Sequence, residues 1–338
     1  MNAYELGFVV ASEALKVSGK RDVSDLLQKL IDENPNRTIY LPDGRYVLSK
    51  PVLTPAHPER SVSLKLSKYA VIQASDDWNS GEALIRLGAK DFANDIRTNG
   101  SNYSLEGGIL DGRGVAGGVS IDGGRETVIR DVSIKHTTIG LHIKTGANNR
   151  SSDADVYGVN IIGNGKADSV GVLLEGFDNT LSNMRIADVQ YGVILKSAGN
   201  MLRSIHPLYT CAYEDYQNSC GFWDFAGNNW YDFCYSDHFG ISYRNAPNVS
   251  STYHNCFCMW YAPKGDKHTV FRADGKFLSF VTNLRIGFHE EFHDNVILSE
   301  EIPGGAGVFE NLFVSKKDFL TDAHEKHLKG ACHSLSDM

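Results

Sequence analysis

Gly118-Val119-Ser120-Ile121, Gly140-Leu141-His142-Ile143, Gly171-Val172-Leu173-Leu174, Gly192-Val193-Ile194-Leu195 and Gly240-Ile241-Ser242-Tyr243 repeat one phrase, a glycine followed by apolar, variable and apolar residues. A degenerate copy, Gly221-Phe222-Trp223-Asp224, fills the remaining gap, so the phrase returns roughly every 20 to 30 residues. Alternation of period two inside each copy is a strand signal, and its return at that interval marks a coiled solenoid. The six glycines are expected at equivalent positions in consecutive coils.

Each copy has an upstream companion: Gly108-Ile109-Leu110-Asp111, Val132-Ser133-Ile134-Lys135-His136, Val159-Asn160-Ile161-Ile162, Met184-Arg185-Ile186-Ala187-Asp188 and Phe233-Cys234-Tyr235-Ser236-Asp237. Every coil therefore holds at least two strands. A helical solenoid would need longer apolar stretches at i, i+3 and i+4, whereas these runs are short, β-branched and punctuated by Gly, Asn and Asp. The fold class is all-β, a parallel β-helix. Length varies mostly at one corner, where the link to the next glycine is long after Asp111, Ile162 and Tyr209 but short after His136 and Asp188. Insertions at one corner build walls over one face. Residues 112–117, 163–169, 211–219 and 262–267 are expected to bound a groove there.

Outward from the repeats, residues 22–33 read as a helix with Val23, Leu26, Leu27, Leu30 and Ile31 on one face, placed to cover the open end of the solenoid. Residues 38–48 read as strand, Pro-Asp-Gly turn and strand. The expected organisation is an N-terminal cap over 1–37, the solenoid over 38–315 and a C-terminal cap or tail over 316–338.

The 338 residues are 22% charged with a formal net charge of −8, which provides no basic stripe for nucleic acid and favours a neutral or weakly charged ligand. Residues 1–20 carry Glu5 and Glu13 and lack the basic start and apolar core of a secretory leader. No run approaches the ~20 apolar residues of a membrane span. Six cysteines occur, but Cys256-Phe257-Cys258 has no second closely spaced pair, so no zinc pattern is present. Reduced, packed thiols, no metal and no organic cofactor are expected.

The helix followed by Leu41-Pro42-Asp43-Gly44-Arg45-Tyr46, then Gly107-Gly108-Ile109-Leu110-Asp111-Gly112-Arg113-Gly114 and the glycine-marked coils, resembles the pectate-lyase-like, glycoside hydrolase family 28-related right-handed β-helix superfamily over most of the chain. The resemblance implies a right-handed solenoid with an N-terminal capping helix and an oligo- or polysaccharide substrate. It does not imply a reaction, because the superfamily includes hydrolases, lyases, epimerases, fructan-converting enzymes and phage tailspikes. The polygalacturonase set, an Asn-Thr-Asp strand, an Asp-Asp pair, Gly-His-Gly and Arg-Ile-Lys, is not intact here. The acidic cluster of calcium-dependent lyases is not apparent either.

Coils stack at ~4.8 Å, so carboxylates one or two coils apart reach the separations of ~5 to 9.5 Å found in glycosidase pairs. Asp111, Asp188 and Asp237 end strands at the walled corner. Asp188 reads as a tight-corner turn residue or as a catalytic carboxylate. Glu214 is the alternate acid; with Tyr213 and Asp215 it lies on the wall, where solvated charges are the other reading. Asp237-His238, amid the aromatics from Phe222 to Tyr243, reads as a sugar subsite or an interior stack. His136 suits proton transfer or a structural hydrogen bond. Arg113 belongs to a turn first and to anion binding second. Tyr209, Trp260 and Tyr261 offer rings to a ligand, although Trp260 equally fits beneath the C-terminal cap.

The expected function is a carbohydrate-active enzyme that cleaves or rearranges glycosidic bonds. Asp188, Asp237 and Glu214 would be its catalytic carboxylates, with Asp111, Arg113, His136, Tyr209, Tyr213, Asp215, His238, Trp260 and Tyr261 binding substrate. A polysaccharide lyase, with Arg113, Arg244 or Lys264 neutralising a uronate, is one alternative. A non-catalytic glycan-binding phage tail or adhesion module is the other, and a homo-oligomer is possible in either. The expected location is cytoplasmic or virion-associated, or secreted if a leader has been removed.

Overall fold

The computed structural model describes residues 8–11, 18–90, 103–145, 151–210, 216–261, 267–289, 296–299, 304–315 and 327–334. The fold is a right-handed parallel β-helix. The chain divides into two compact units, residues 1–164 with 171–179, and residues 165–170 with 180–338.

In the first unit, Arg37–Leu41, Val62–Leu66, Ser104–Glu106, Val128–Arg130 and Asp155–Tyr157 pair in parallel, coil upon coil. Gly44–Leu48, Ala70–Ala74, Ile109–Asp111, Ser133–Thr137 and Asn160–Gly163 form the adjoining column of the same sheet. A second sheet stacks Val52–Pro55, Ala83–Lys90, Gly117–Ile121 and Ile139–Ile143. In-register pairing puts Ile72, Leu110, Ile134 and Ile161 one above the other, all buried. Each such burial contributes roughly 1.5–3 kcal/mol relative to exposure. Gly118 faces Gly140, and a Cβ on it would lie 2.5 Å from the Gly140 carbonyl oxygen. Close backbone approach is thus why the phrase begins with glycine.

The helix is Ser24–Asp32, with Leu27 and Ile31 buried. Gln28 donates to Leu53 O at 3.0 Å and accepts from Leu53 N–H at 2.8 Å. Its amide thereby pairs with the end strand of the second sheet as a neighbouring strand would, covering an otherwise open edge. Strands also occur inside the expected cap: Val9–Val10 and Ser18–Asp22 pair with Arg37–Leu41 and Gly44–Leu48. The strand layer therefore begins ahead of residue 38.

The second unit repeats the pattern. Thr180–Ala187 and Met201–Leu208 are continuous, whereas Trp230–Asp232 with Tyr235–Asp237, and Thr252–His254 with Phe257–Trp260, are split. Phe280–Phe288, Val308–Val314 and Leu328–Ser334 complete this sheet, the last lying in the expected tail. Tyr191–Leu195, Cys220–Asp224, Ile241–Asn245, His268–Ala273 and Val296–Ile297 form the second sheet. Rings fill the interior between them: Tyr231 stacks on Tyr253 at 4.3 Å and Phe222 on Tyr243 at 5.4 Å. Gly192 faces Gly221, but Gly221 faces Ser242. Gly240 is thus two residues out of the expected register, a shift that keeps every side chain on its own face.

A left-handed residue recurs in the first sheet of this unit, inside the continuous strands at Asn183, Ser204, Asn283 and Asn311 and between the split ones at Phe233 and Asn255. Asn283 donates to Asn255 Oδ1 at 3.1 Å and Asn311 to Asn283 Oδ1 at 3.3 Å, a ladder of amides at the bend. Cys220, Cys234, Cys256 and Cys258 are free and buried.

Candidate functional site

At the corner after Tyr235–Asp237 in the second unit, an acidic group is held by several donors. Tyr235 Oη donates to Asp237 Oδ2 at 2.9 Å, His206 Nε2 lies 3.4 Å from the same oxygen, and His238 Nδ1 bonds Oδ1. Burial alone would raise the Asp237 pKa, but the hydrogen bonds from His206, His238 and Tyr235 outweigh it and hold the carboxyl well below the usual carboxylate range. Burial first, and then the Asp237 charge, push the Tyr235 phenol up, so it stays a donor. The register builds this arrangement: His206 stacks on Tyr235 at 4.1 Å and Tyr235 on Phe257 at 4.6 Å, with the Arg285 guanidinium 5.2 Å from the Phe257 centroid. Because the rings face one another along the solenoid, they offer a ligand their edges.

His238 sits in the left-handed region, with its ring 6.1 Å from that of Tyr261. Tyr261 is 59% exposed and is a ring available to a ligand. Behind this corner, Tyr209 and Trp260 depart from expectation, because both are buried. Tyr209 packs edge-on against Tyr216 and Phe239, and Trp260 Nε1 donates to Phe239 O at 2.8 Å while stacking on His268. They are core rings, the interior reading of the aromatic run. His268 Nδ1 bonds Tyr216 Oη at 2.8 Å, and burial, with the nearby His238, lowers its pKa to about 4.

Asp188 is left-handed, accepts a hydrogen bond from Thr210 Oγ1, and its own N–H donates to that hydroxyl at 3.2 Å. It follows the strand Thr180–Ala187, whose last residue is in register two coils before Asp237, a backbone separation of ~10 Å. Glu214, Tyr213 and Asp215 lie outside the described residues, as do residues 262–266 of the last wall.

In the first unit, Asp111 accepts from Arg113 N–H at 3.0 Å and stands 3.0 Å from His136 Nδ1. Arg113 and His136 are both left-handed, and the Arg113 guanidinium pairs with Asp76 at 2.8 Å. Asp111 and His136 are in contact, whereas Arg113 is already paired with Asp76.

The sequence reading missed His206, Tyr235 and Phe257 as a stacked column; their recurrence one coil apart was the available signal. It also missed a network on the outer face of the first unit's second sheet. There Lys144 Nζ lies 2.5 Å from Glu82 and 3.5 Å from Asp122, and Arg86 bonds Asp122. Two cations balance two carboxylates, which makes a closed structural network. Nearby, His142 pairs with Glu175 at 2.9 Å, its pKa lowered by burial. Among the described residues no group of His, Cys, Asp and Glu is disposed to hold a metal ion, and no helix is long and apolar enough to cross a membrane.

No protein-family model and no curated protein matches the sequence. Solved structures do resemble it. The tailspike of E. coli bacteriophage HK620 in complex with pentasaccharide aligns with TM-score 0.66 at 12% identity, over 98% of this chain and 65% of the tailspike. Endo-xylogalacturonan hydrolase from Aspergillus tubingensis aligns with TM-score 0.60 at 12% identity, over 97% of this chain and 99% of the hydrolase. PfbA, a surface adhesin of Streptococcus pneumoniae, aligns with TM-score 0.53 at 11% identity, over 90% of each chain. The chain spans less than two thirds of the phage proteins it matches, 58% in the case of ORF18 of Geobacillus virus E2. At these identities the likeness is one of fold alone.

Proposed function

We propose that the chain acts on an oligo- or polysaccharide and cleaves its glycosidic bonds at the corner formed by Asp237, His238 and Tyr261. The observation that carries this is the nearly buried Asp237 carboxylate, kept ionised by its donors, close to the exposed ring of Tyr261. An ionised carboxylate suits the base or nucleophile of glycoside hydrolysis, and the exposed ring suits the apolar face of a sugar. The proton donor would be Asp188 or Glu214. Asp111, His136, Tyr213 and Asp215 are retained as substrate contacts within their own units. The phage and adhesin folds it resembles are consistent with a virion- or surface-associated role, with self-association along the solenoid.

A second reading, glycan binding without turnover, is favoured by the engagement of Asp188 with Thr210 at its turn. Incubation with plant, fructan and bacterial glycans, followed by mass analysis, separates the readings. Hydrolysis adds one water across the two products, a lyase leaves an unsaturated product, and binding alone changes no mass. Retention of no glycan in any form would sink both.

A further inference from the structure

On the outer face of the second unit's other sheet, Trp223, Arg244 and Arg272 are register partners in three successive coils. The Arg244 guanidinium lies 3.9 Å from the Trp223 ring centroid. Its Nε donates to Asp274 Oδ2 at 2.8 Å, and Arg272 Nε donates to Asp274 Oδ1 at 2.9 Å. Both arginines spend Nε on one carboxylate. Among the described residues, the Nη nitrogens of neither have a hydrogen-bond partner.

The charge arithmetic follows. Two guanidinium groups one coil apart, ~4.8 Å along the backbone, share a single counter-charge, so the trio carries a surplus positive charge. The chain as a whole is −8, so this surplus is local. The arginine fork binds a carboxylate or sulfate through paired N–H groups, and here stacking and Asp274 have already fixed its orientation. Beside it, Phe225 lies 4.6 Å from Trp223 and is 42% exposed, while Tyr191 flanks the indole at 5.7 Å. Trp223 Nε1 is buried without a partner among the described residues.

We propose that this face is a binding site for a saccharide bearing an acidic group, the carboxylate or sulfate taken by the Nη ends of Arg244 and Arg272 and the sugar ring packed against Phe225 and Trp223. The site lies on the opposite sheet from Asp237. It rests on the glycan reading only for the nature of the ring.

The test is calorimetric titration of the full chain with a glucuronate-containing tetrasaccharide, its carboxyl-reduced counterpart and a sulfated tetrasaccharide, at low and high salt. The acidic probes should bind and weaken as salt rises. Arg272→Gln should weaken binding about tenfold or more, the loss of a charge-assisted pair. Phe225→Ser, at an exposed position, should weaken it by a smaller factor without unfolding the chain. Preference for the uronate or for the sulfate identifies the source of the charge. Equal binding of the carboxyl-reduced probe, or equal binding by Arg272→Gln and the parent chain, overturns the proposal. Asp237→Asn distinguishes the two sites: lost turnover with intact acidic-probe binding leaves this site standing, whereas intact turnover with no acidic-probe binding removes it alone.

Discussion

The backbone N–H of Tyr261 donates to Nε2 of His238 at 2.9 Å, and that contact fixes which ring nitrogen faces Asp237. A neutral imidazole accepting at Nε2 carries its hydrogen on Nδ1, which faces Asp237 Oδ1. His238 and the Tyr235 hydroxyl therefore both aim donors at the Asp237 carboxylate. The arrangement favours the ionised acid, so in the proposed reaction Asp237 would serve as base or nucleophile and the acid role would fall to another group.

Asp237→Asn should lower turnover by about 10²–10⁴, because the amide keeps the volume but cannot take a proton or carry the charge. Asp188→Asn should lower it by a similar factor if Asp188 is the acid. Asp188→Asn should unfold within a few degrees of the parent, whereas Asp237→Asn should also lose some stability, because its amide turns a donor toward donors. Steady-state rates on the glycan found by the panel, with melting curves alongside, check this; a near-parental rate for Asp188→Asn would reduce that residue to a turn.

Stability should fall on acidification in two windows. His268 is fully buried, and its pKa is lowered from 6.5 to about 4. The unfolded chain therefore binds the extra proton first, so stability is fully present above pH 6.5 and is lost as pH falls toward 4. The slope should approach ~1.4 kcal/mol per pH unit for one proton. His142, also lowered by burial, acts in the same direction. Asp237 contributes stability that is lost only below its unfolded value near 3.8. Urea denaturation from pH 7 to 3 should resolve the windows, and His268→Gln should flatten the upper one. An unchanged upper slope in that variant would show that His268 is not its source.

Gly118→Ala should destabilise by about 1–3 kcal/mol, since its Cβ would meet the Gly140 carbonyl oxygen and Ile134 Cγ2, both at 2.5 Å. Gly81→Ala is the control, with nothing within 4 Å of the added carbon. It should be neutral or slightly stabilising through the unfolded chain. Equal melting temperatures for the two variants would dismiss close packing as the reason for the repeat glycine.

The solenoid was legible because its signal is local and repeated: Ile134 and Ile161 announce themselves as strand residues without knowledge of their neighbours. The short strands Val128–Arg130, Trp230–Asp232 and Thr252–His254 were not, since three residues hold too little alternation to stand out. The polar residues chosen as site candidates had a second reason to be where they are. Asp188, His136, His238 and Arg113 all adopt left-handed backbone, a conformation that favours Asp and His beyond most residues. Turn chemistry and catalytic chemistry draw on the same residue types, so sequence alone could not separate them. Nor could it find Arg244 and Arg272 meeting at Asp274, because that cluster exists only through coil register.

Asp224 offers the sharpest test of how much stability the polar interior supplies. The residue is fully buried, and its carboxylate accepts from the Ala226 and Gly227 N–H groups, Asn229 Nδ2, Tyr231 Oη and Ser251 Oγ. No cation pairs with it among these contacts, so the charge is stabilised by dipoles alone. Asp224→Ala would strand those donors away from water, each with a desolvation cost of ~1–3 kcal/mol where relaxation does not find it a new partner. Even with relaxation a total loss of about 3–5 kcal/mol is expected, comparable to removing one partner of a buried ion pair. Asp224→Asn, which keeps one acceptor oxygen but turns the other position into a donor facing donors, should fall between the alanine variant and the parent. Chemical denaturation of the three proteins checks the order. A melting temperature for Asp224→Ala equal to the parent's would mean that water replaces the carboxylate without loss.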